Sequence, residues 1–358
     1  KFNSGQCMNI FLLTTAGTGL DLLEIIKKEV NIKGVIGLSE RTPGDSISDY
    51  TFVGNYCEEN KLNFIPVESY SLSNKMDVKI LSKLNIDILI VGPWGRLIPD
   101  WLIDKCKMGA IGIHGSSYGI TGGRGRSPEN WSLILNEEEF SVSIFKIDIG
   151  IDSGEIIDTR VFSFSTTDDI ASARYKMIWN VGQMIIRLLA HKKVTKLKGK
   201  PQTGLPRYLP KRIPSDGEID WNRSAKELHN FVRALSKPYP GAYSEVINSG
   251  KIMIWKALPL FDLQNLSKYQ CGEIINFSSS NNHLIVKTGC DALFITDYEF
   301  RPDSLKSIIK KGYIFNSVDF YSQCKEIFQR HYKKHPNKII QEKVVDFVEI
   351  YNKLKTQV

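Results

Sequence analysis

Apolar positions along this chain fall in two alternating rhythms. From Met8 to Thr14 (MNIFLLT) most residues are apolar over the length of one strand, and from Asp21 to Val30 the apolar residues Leu22, Leu23, Ile25 and Ile26 recur at helical spacing. The pair repeats: strand-like Ile32 to Leu38 precedes helical Ile47 to Asn60, Asn63 to Pro66 precedes Met76 to Leu84, and Ile86 to Val91 precedes Asp100 to Lys107. Ala110 to His114 adds a further strand. Strands that are apolar on both faces need cover on both sides. Residues 8–195 are therefore predicted to form one α/β domain, an open and mostly parallel sheet with helices on both faces.

Within that domain a helix is predicted over Ser127 to Asn136, with Ser127 as N-cap and Pro128 at the first helical position. Strands Ser141 to Asp148 and Glu155 to Phe164 follow, joined by Ile149 to Gly154, and then a long helix that opens on the carboxylates of Asp168 and Asp169 and ends near Leu189, before the basic cluster His191, Lys192, Lys193. Residues 196–215 carry Pro201, Pro206, Pro210 and Pro214 with little periodicity and read as a linker. Residues 216–300 hold a helix, Ala225 to Leu235, and strands Ala242 to Ile247, Lys251 to Leu258, Cys271 to Phe277, Leu284 to Thr288 and Ala292 to Tyr298, which make a small β domain. Residues 301–358 return to helical spacing over Ser304 to Lys311, Phe320 to His331 and Lys338 to Lys355, a basic tail.

Composition narrows the class. With 358 residues, 42% apolar and 24% charged, this is an ordinary folded protein. Apolar runs such as Ile88 to Val91 fall far short of the roughly 18–20 residues of a bilayer span, so no membrane helix is expected. Lys1 to Cys7 are mostly polar and read as an added or leader segment ahead of the fold, with no signal peptide visible. The 6 cysteines lack a C-x-x-C pair and a histidine at zinc spacing, which argues against disulfides and a structural metal and points to the cytoplasm. The 47 basic and 39 acidic side chains give +8, but Arg301 to Val358, with 12 basic and 6 acidic residues, supplies +6 of it. The body is nearly neutral, a poor match to a nucleic-acid surface, while the tail is a candidate contact for RNA or for another subunit.

Ligands of open α/β sheets sit beyond the carboxyl ends of strands, and three such ends carry candidate chemistry. Ala16-Gly17-Thr18-Gly19 lacks the third glycine of a dinucleotide fingerprint, because Leu22 stands there, and reads as a tight strand-to-helix turn. His114 ends a strand between glycines that allow a ligand to approach, and imidazole exchanges protons near neutral pH. The third end, Asp148 to Gly154, taken alone is a hairpin turn; beside His114, a carboxylate there would orient the ring and support proton transfer.

These stretches also resemble a family. ILIVGPWGRLIP (88–99), IHGSSYGITGGRGRSPENW (113–131), DIGIDSGEI (148–156) and residues 216–243, with DGEIDW and HNFVRALSKPYPGAY, are similar in order and spacing to the folate-dependent formyltransferases that act on methionyl-tRNA and on amino sugars. The resemblance implies a formyltransferase-like Rossmann domain, a small open β-barrel after it, and 10-formyltetrahydrofolate as formyl donor, with no metal. It implies that His114 and Asp152 are catalytic, that Trp94, Gly95, Arg96, Leu97 and Ile98 line one side of the pterin, and that Asp148, Ile149 and Gly150 line the other. It places the acceptor by Arg124, Arg126 and Asn130. One departure stands out: the family's catalytic asparagine falls at Gly112. Losing one such oxyanion donor typically costs about 2.7–4 kcal/mol. Activity then requires a substitute: a backbone N–H, protonated His114, Asn130 or bound water.

Two acceptors compete. In the tRNA branch a basic loop follows the second strand, but Ser39 to Tyr50 carries one Arg against Glu40, Asp45 and Asp49, which repels phosphate. Arg124 and Arg126 suit the phosphates of a nucleotide-linked amino sugar, since guanidinium forks match phosphate oxygens. The favoured function is thus formyl transfer to such a sugar, with methionyl-tRNA as the alternative. A third reading, prompted by Gly112, is a catalytically degenerate protein that binds folate or a partner.

Overall fold

The computed structural model describes residues 8–42, 47, 49–190, 194–246, 249–278, 280–335, 344–345, 349–350 and 352–353. The expected leader at Lys1 to Cys7, the basic cluster His191 to Lys193, Asp45, Ile247 and most of the expected helix Lys338 to Lys355 lie outside the described residues. The chain divides into two units, the first taken from residues up to Arg124, Glu139–Ser163 and Arg174–Pro206, the second from Gly125–Glu138, Phe164–Ala173 and Arg207 onward.

The first unit is built on seven strands: β1 (Ile10–Leu13), β2 (Ile32–Leu38), β3 (Phe64–Val67), β4 (Ile88–Val91), β5 (Gly109–Ser116), β6 (Glu139–Lys146) and β7 (Ile156–Ser163), in the spatial order β3-β2-β1-β4-β5-β6-β7. Pairing is parallel from β3 to β5 and antiparallel for β5–β6 and β6–β7. Helices α1 (Gly17–Ile26), α2 (Val53–Glu59), α3 (Lys75–Leu81) and α4 (Asp100–Lys105) connect the parallel strands, as such crossovers require, and the one-turn helix α5 (Gly119–Gly122) follows β5. The two-sided burial follows from strand alternation. Ile10 and Leu12 join Ile88, Ile90 and Ile111 in one core, where Ile178, Val181 and Ile185 of α7 (Ile170–Leu189) pack. Phe11 and Leu13 join Leu89, Val91, Leu81 and Leu102 in the other. The order of the strands reverses between β1 and β4, the switch point at which such sheets bind ligands. The segment Trp94 to Ile98 follows β4 directly.

The second unit carries an antiparallel sheet of five strands, β8 (Ala242–Val246), β9 (Gly250–Leu260), β10 (Ile274–Ser278), β11 (His283–Lys287) and β12 (Ala292–Arg301), ordered β8-β9-β12-β11-β10. Helix α8 (Ala225–Leu235) starts with a capping box: Ser224 Oγ accepts from Glu227 N, and Glu227 Oε2 accepts from Ser224 N at 2.9 Å. Asp169 opens α7 as its position implied, accepting from Ser172 N at 2.9 Å. In contrast, Ser127 does not cap the helix α6 (Pro128–Ile134). Its φ is 59°, in the left-handed region, and its hydroxyl accepts from Arg212 N at 3.2 Å instead.

Part of the basic tail is a packed element. Helix α9 (Phe320–Lys334) is capped by Asp319, which accepts from Ser322 N at 3.0 Å, and it buries Phe320, Cys324, Ile327, Phe328 and His331. Arg330 pairs with the buried Asp216 at 2.5 Å, and Asp220 accepts from Phe320 N at 3.0 Å. The two aspartates of DGEIDW thus anchor α9, which is not a solvated appendage.

Candidate active site

The first unit brings His114 and Asp152 together although 38 residues separate them in the sequence. His114 sits on β5 directly opposite Ser143 of β6, and is 8% exposed. Its Nδ1 lies 3.3 Å from Asp152 Oδ2, and its Nε2 lies 2.7 Å from the carbonyl of Gly123. A carbonyl only accepts, so Nε2 carries a proton in this arrangement, and the carboxylate beside Nδ1 is likewise an acceptor. Asp152 is the more open partner, its side chain 22% exposed against 7% for the ring.

The loop from β6 to β7 holds the carboxylate in place. Asp152 adopts φ 47°, and Asp148 closes the turn by accepting from Gly150 N at 3.1 Å and from Ser153 Oγ at 2.6 Å. Asp148 therefore braces the loop, and Ile149, 76% exposed, projects from it. On the segment after β4, Leu97 is 60% exposed. Trp94 is buried, tilted against Tyr70 at 4.8 Å between ring centroids, while Tyr70 Oη accepts from Gly95 N at 2.5 Å and Arg96 stacks over the same ring at 5.7 Å. Trp94 Nε1 is a buried donor with no partner among the described residues. Both segments expected to flank a pterin thus present one exposed aliphatic side chain, as apolar walls for a flat ring would.

Arg124 also belongs to this unit. It is 8% exposed, donates from Nη2 to Gln202 Oε1 at 2.7 Å, and keeps a buried Nε with no partner among the described residues. Arg126 and Asn130 belong to the second unit. Arg126 is exposed; Asn130 is 1% exposed and donates Nδ2 to the Ala234 carbonyl at 2.7 Å, which leaves it poorly placed to replace an oxyanion donor.

Comparison with known proteins decides the family. The model described as "Formyl transferase" matches residues 24–186, and "Formyl transferase, C-terminal domain" matches residues 212–308. A methionyl-tRNA formyltransferase of Ruminiclostridium cellulolyticum is 30% identical over 244 residues, 68% of this chain and 75% of the relative. The chain belongs to the formyl transferase family. HypX from Aquifex aeolicus shares its fold with a TM-score of 0.60 at 18% identity; the match covers 93% of this chain but only 58% of HypX. WlaRD, a sugar 3N-formyl transferase crystallised in the presence of dTDP and 5-N-formyl-THF, shares it with a TM-score of 0.52 at 17% identity, over 82% of this chain and 98% of WlaRD.

In this formyl transferase, Gly112 has a steric partner. A Cβ there would stand 2.5 Å from Phe145 Cζ and 3.0 Å from Ile147 Cγ1, and Phe145 is directly opposite Gly112 across β5 and β6. The phenyl ring fills the space next to the glycine, so no side chain fits there unless Phe145 moves. Gly112→Asn alone is expected to lower stability by about 1–3 kcal/mol through overpacking. Combined with Phe145→Ala it should cost less than the sum of the two single changes, by about 0.5–3 kcal/mol. Urea denaturation of the four proteins measures this; strictly additive losses would show that the ring does not occupy the space.

Sequence reasoning did not find Gly123, Tyr70, Phe145 or Gln202. Tyr70, Phe145 and Gln202 act through partners far along the chain and carry no local signal, whereas Gly123, nine residues past His114, was visible only as one glycine of GITGGRG.

Proposed function

We propose that this formyl transferase moves the formyl group of 10-formyltetrahydrofolate onto the primary amine of a nucleotide-linked amino sugar. The observation that carries the reading is the His114 Nδ1–Asp152 Oδ2 approach of 3.3 Å, within the first unit that also bears the exposed Leu97 and Ile149. The donor supplies an activated one-carbon unit whose carbon the neutral amine attacks; the bond from that carbon to the folate nitrogen breaks, the amine loses one proton, and the departing folate nitrogen gains one.

The chain's residues serve these needs separately. Leu97 and Ile149 give apolar contact to the pterin. His114 Nε2–H, released from the Gly123 carbonyl, donates to the formyl oxygen as negative charge develops there, taking over the work that an asparagine at position 112 would do. Asp152, the more exposed partner, keeps the ring oriented and passes the amine's proton to water. Arg124, buried without a carboxylate partner among the described residues, supplies positive charge for a phosphate. The sugar acceptor draws support from the acidic side chains after β2 and from the shared fold with WlaRD. Asp49 is itself tied inward, accepting from Thr18 Oγ1 at 2.9 Å.

A second reading, charged initiator tRNA as acceptor, is favoured by the 30% identity to a methionyl-tRNA formyltransferase and by the exposed Lys333 and Lys334 on α9. Purified protein incubated with 10-formyltetrahydrofolate and either a panel of amino-sugar nucleotides or methionyl-tRNA separates the readings by which acceptor gains one formyl mass. Saturable folate binding with no gain on either acceptor would leave only the binding protein.

A further inference from the structure

The side-chain amide of Gln202 is bonded at both ends to the two segments that bracket the His114 ring. Nε2 donates to the carbonyls of Asp152, at 2.7 Å, and Gly154, at 2.9 Å; Oε1 accepts from Arg124 Nη2, at 2.7 Å, and Thr121 Oγ1, at 2.9 Å. Two donors and two lone pairs are all that a primary amide has, and all four are used. The opposite orientation of the amide would set its oxygen against two carbonyl oxygens, so the network fixes which atom is which. One end of the amide grips the loop whose carboxylate faces His114 Nδ1. The other grips the residues on either side of Gly123, whose carbonyl meets His114 Nε2.

The backbone delivers Gln202 to this place. Lys200 and Ile156 exchange two hydrogen bonds of 2.8 Å, Leu197 N donates to Met108 O at 2.9 Å, and Gly199 lies so close to Ile156 that a Cβ would stand 2.5 Å from its carbonyl oxygen. Residues 197–202 are thus tethered to the sheet of the first unit, within the stretch expected to be a linker.

We propose that Gln202 is a positioning residue for formyl transfer: it ties the Asp152 loop to the Thr121–Arg124 segment and so fixes the imidazole between carboxylate and carbonyl. It touches no reacting atom. The inference rests on the formyl-transfer reading, because it is the His114–Asp152 geometry that Gln202 maintains. The Asp148 brace is independent of it, so the outer part of the loop, with Ile149, keeps its shape when Gln202 is changed.

Gln202→Leu, similar in size but without hydrogen bonds, is expected to lower kcat by about 10²-fold, the order of loss that misplacing a catalytic group by about 1 Å produces, while KM for the folate donor changes far less. Gln202→Glu keeps both acceptor contacts but turns a carboxylate oxygen toward two carbonyls; its kcat relative to wild type should rise as pH falls, because the protonated carboxyl regains one donor. A residue that merely stabilised the fold would produce no such pH-dependent ratio. Unchanged kcat in Gln202→Leu, or a flat ratio in Gln202→Glu, overturns the proposal; the Glu variant decides if the Leu variant does not fold. Amide hydrogen exchange of the full chain needs no turnover. Peptides spanning 147–156 and 117–125 should lose protection together in Gln202→Leu while the remainder is unchanged, and unaltered protection in either overturns the bridge. If wild type formylates no amine, the function has failed, and the exchange data still judge the bridge.

Discussion

Asp152→Asn is expected to lower kcat/KM by about 10²–10⁴-fold with little change in stability, since general acid–base groups contribute on that scale. Asparagine keeps the volume, and φ 47° is a conformation that it tolerates. What it removes is the negative charge 3.3 Å from His114 Nδ1 and the only carboxylate that the structure sets against the ring among the described residues. His114→Ala should lose at least as much, because it deletes both the donor and the partner that orients it. The double variant is expected to be little worse than the worse single one, as for groups that act as a unit. Initial-rate assays of the three variants, with thermal midpoints alongside, check this. Near-wild-type turnover in a folded His114→Ala protein would remove the assignment.

Gly154→Ala is the second large effect, and it comes from sterics alone. A Cβ at this position would lie 1.7 Å from the carbonyl oxygen of Lys146, a backbone atom at the end of β6 that no side-chain rotation can move away. Relief requires separating residue 154 from β6, which strains the bond from Lys146 N to Glu155 O, 2.9 Å in the native loop, and shifts Asp152 two residues earlier. The expected results are a stability loss of about 1–3 kcal/mol or more, typical of overpacking, and a fall in kcat of about 10²-fold from displacement of the carboxylate. Circular dichroism melts and the same rate assay test it. An active Gly154→Ala protein with an unchanged midpoint would mean that the loop does not lie against β6 as described.

These two variants show how differently the site was legible. His114 and Asp152 stood out in the sequence because each ends or follows a strand-like run and each matches a family motif. The last glycine of DIGIDSG was visible as a turn residue, but its reason, a backbone oxygen at contact distance, was not. Asp148, expected at the pterin, closes its own loop through Gly150 and Ser153. Asn130 was expected at the acceptor and lies buried against the Ala234 carbonyl. In both cases the structure gives the polar group a protein partner.

Strand-and-helix alternation, the two-sided burial of β1 and β4, the carboxylates at the start of α7 and the order of the motifs are properties of residues close together in the chain, and so the sequence by itself determined the α/β class and the antiparallel domain that follows, and singled out the histidine and the aspartate as candidates. Which atoms meet those two residues was settled by folding. The Gly123 carbonyl on the ring, Phe145 beside Gly112, the Asp216–Arg330 anchor of α9 and the four bonds of Gln202 join segments up to about a hundred residues apart. Such contacts leave no periodic trace, because only the register of the sheet and the path of the chain across it bring their partners within hydrogen-bonding range.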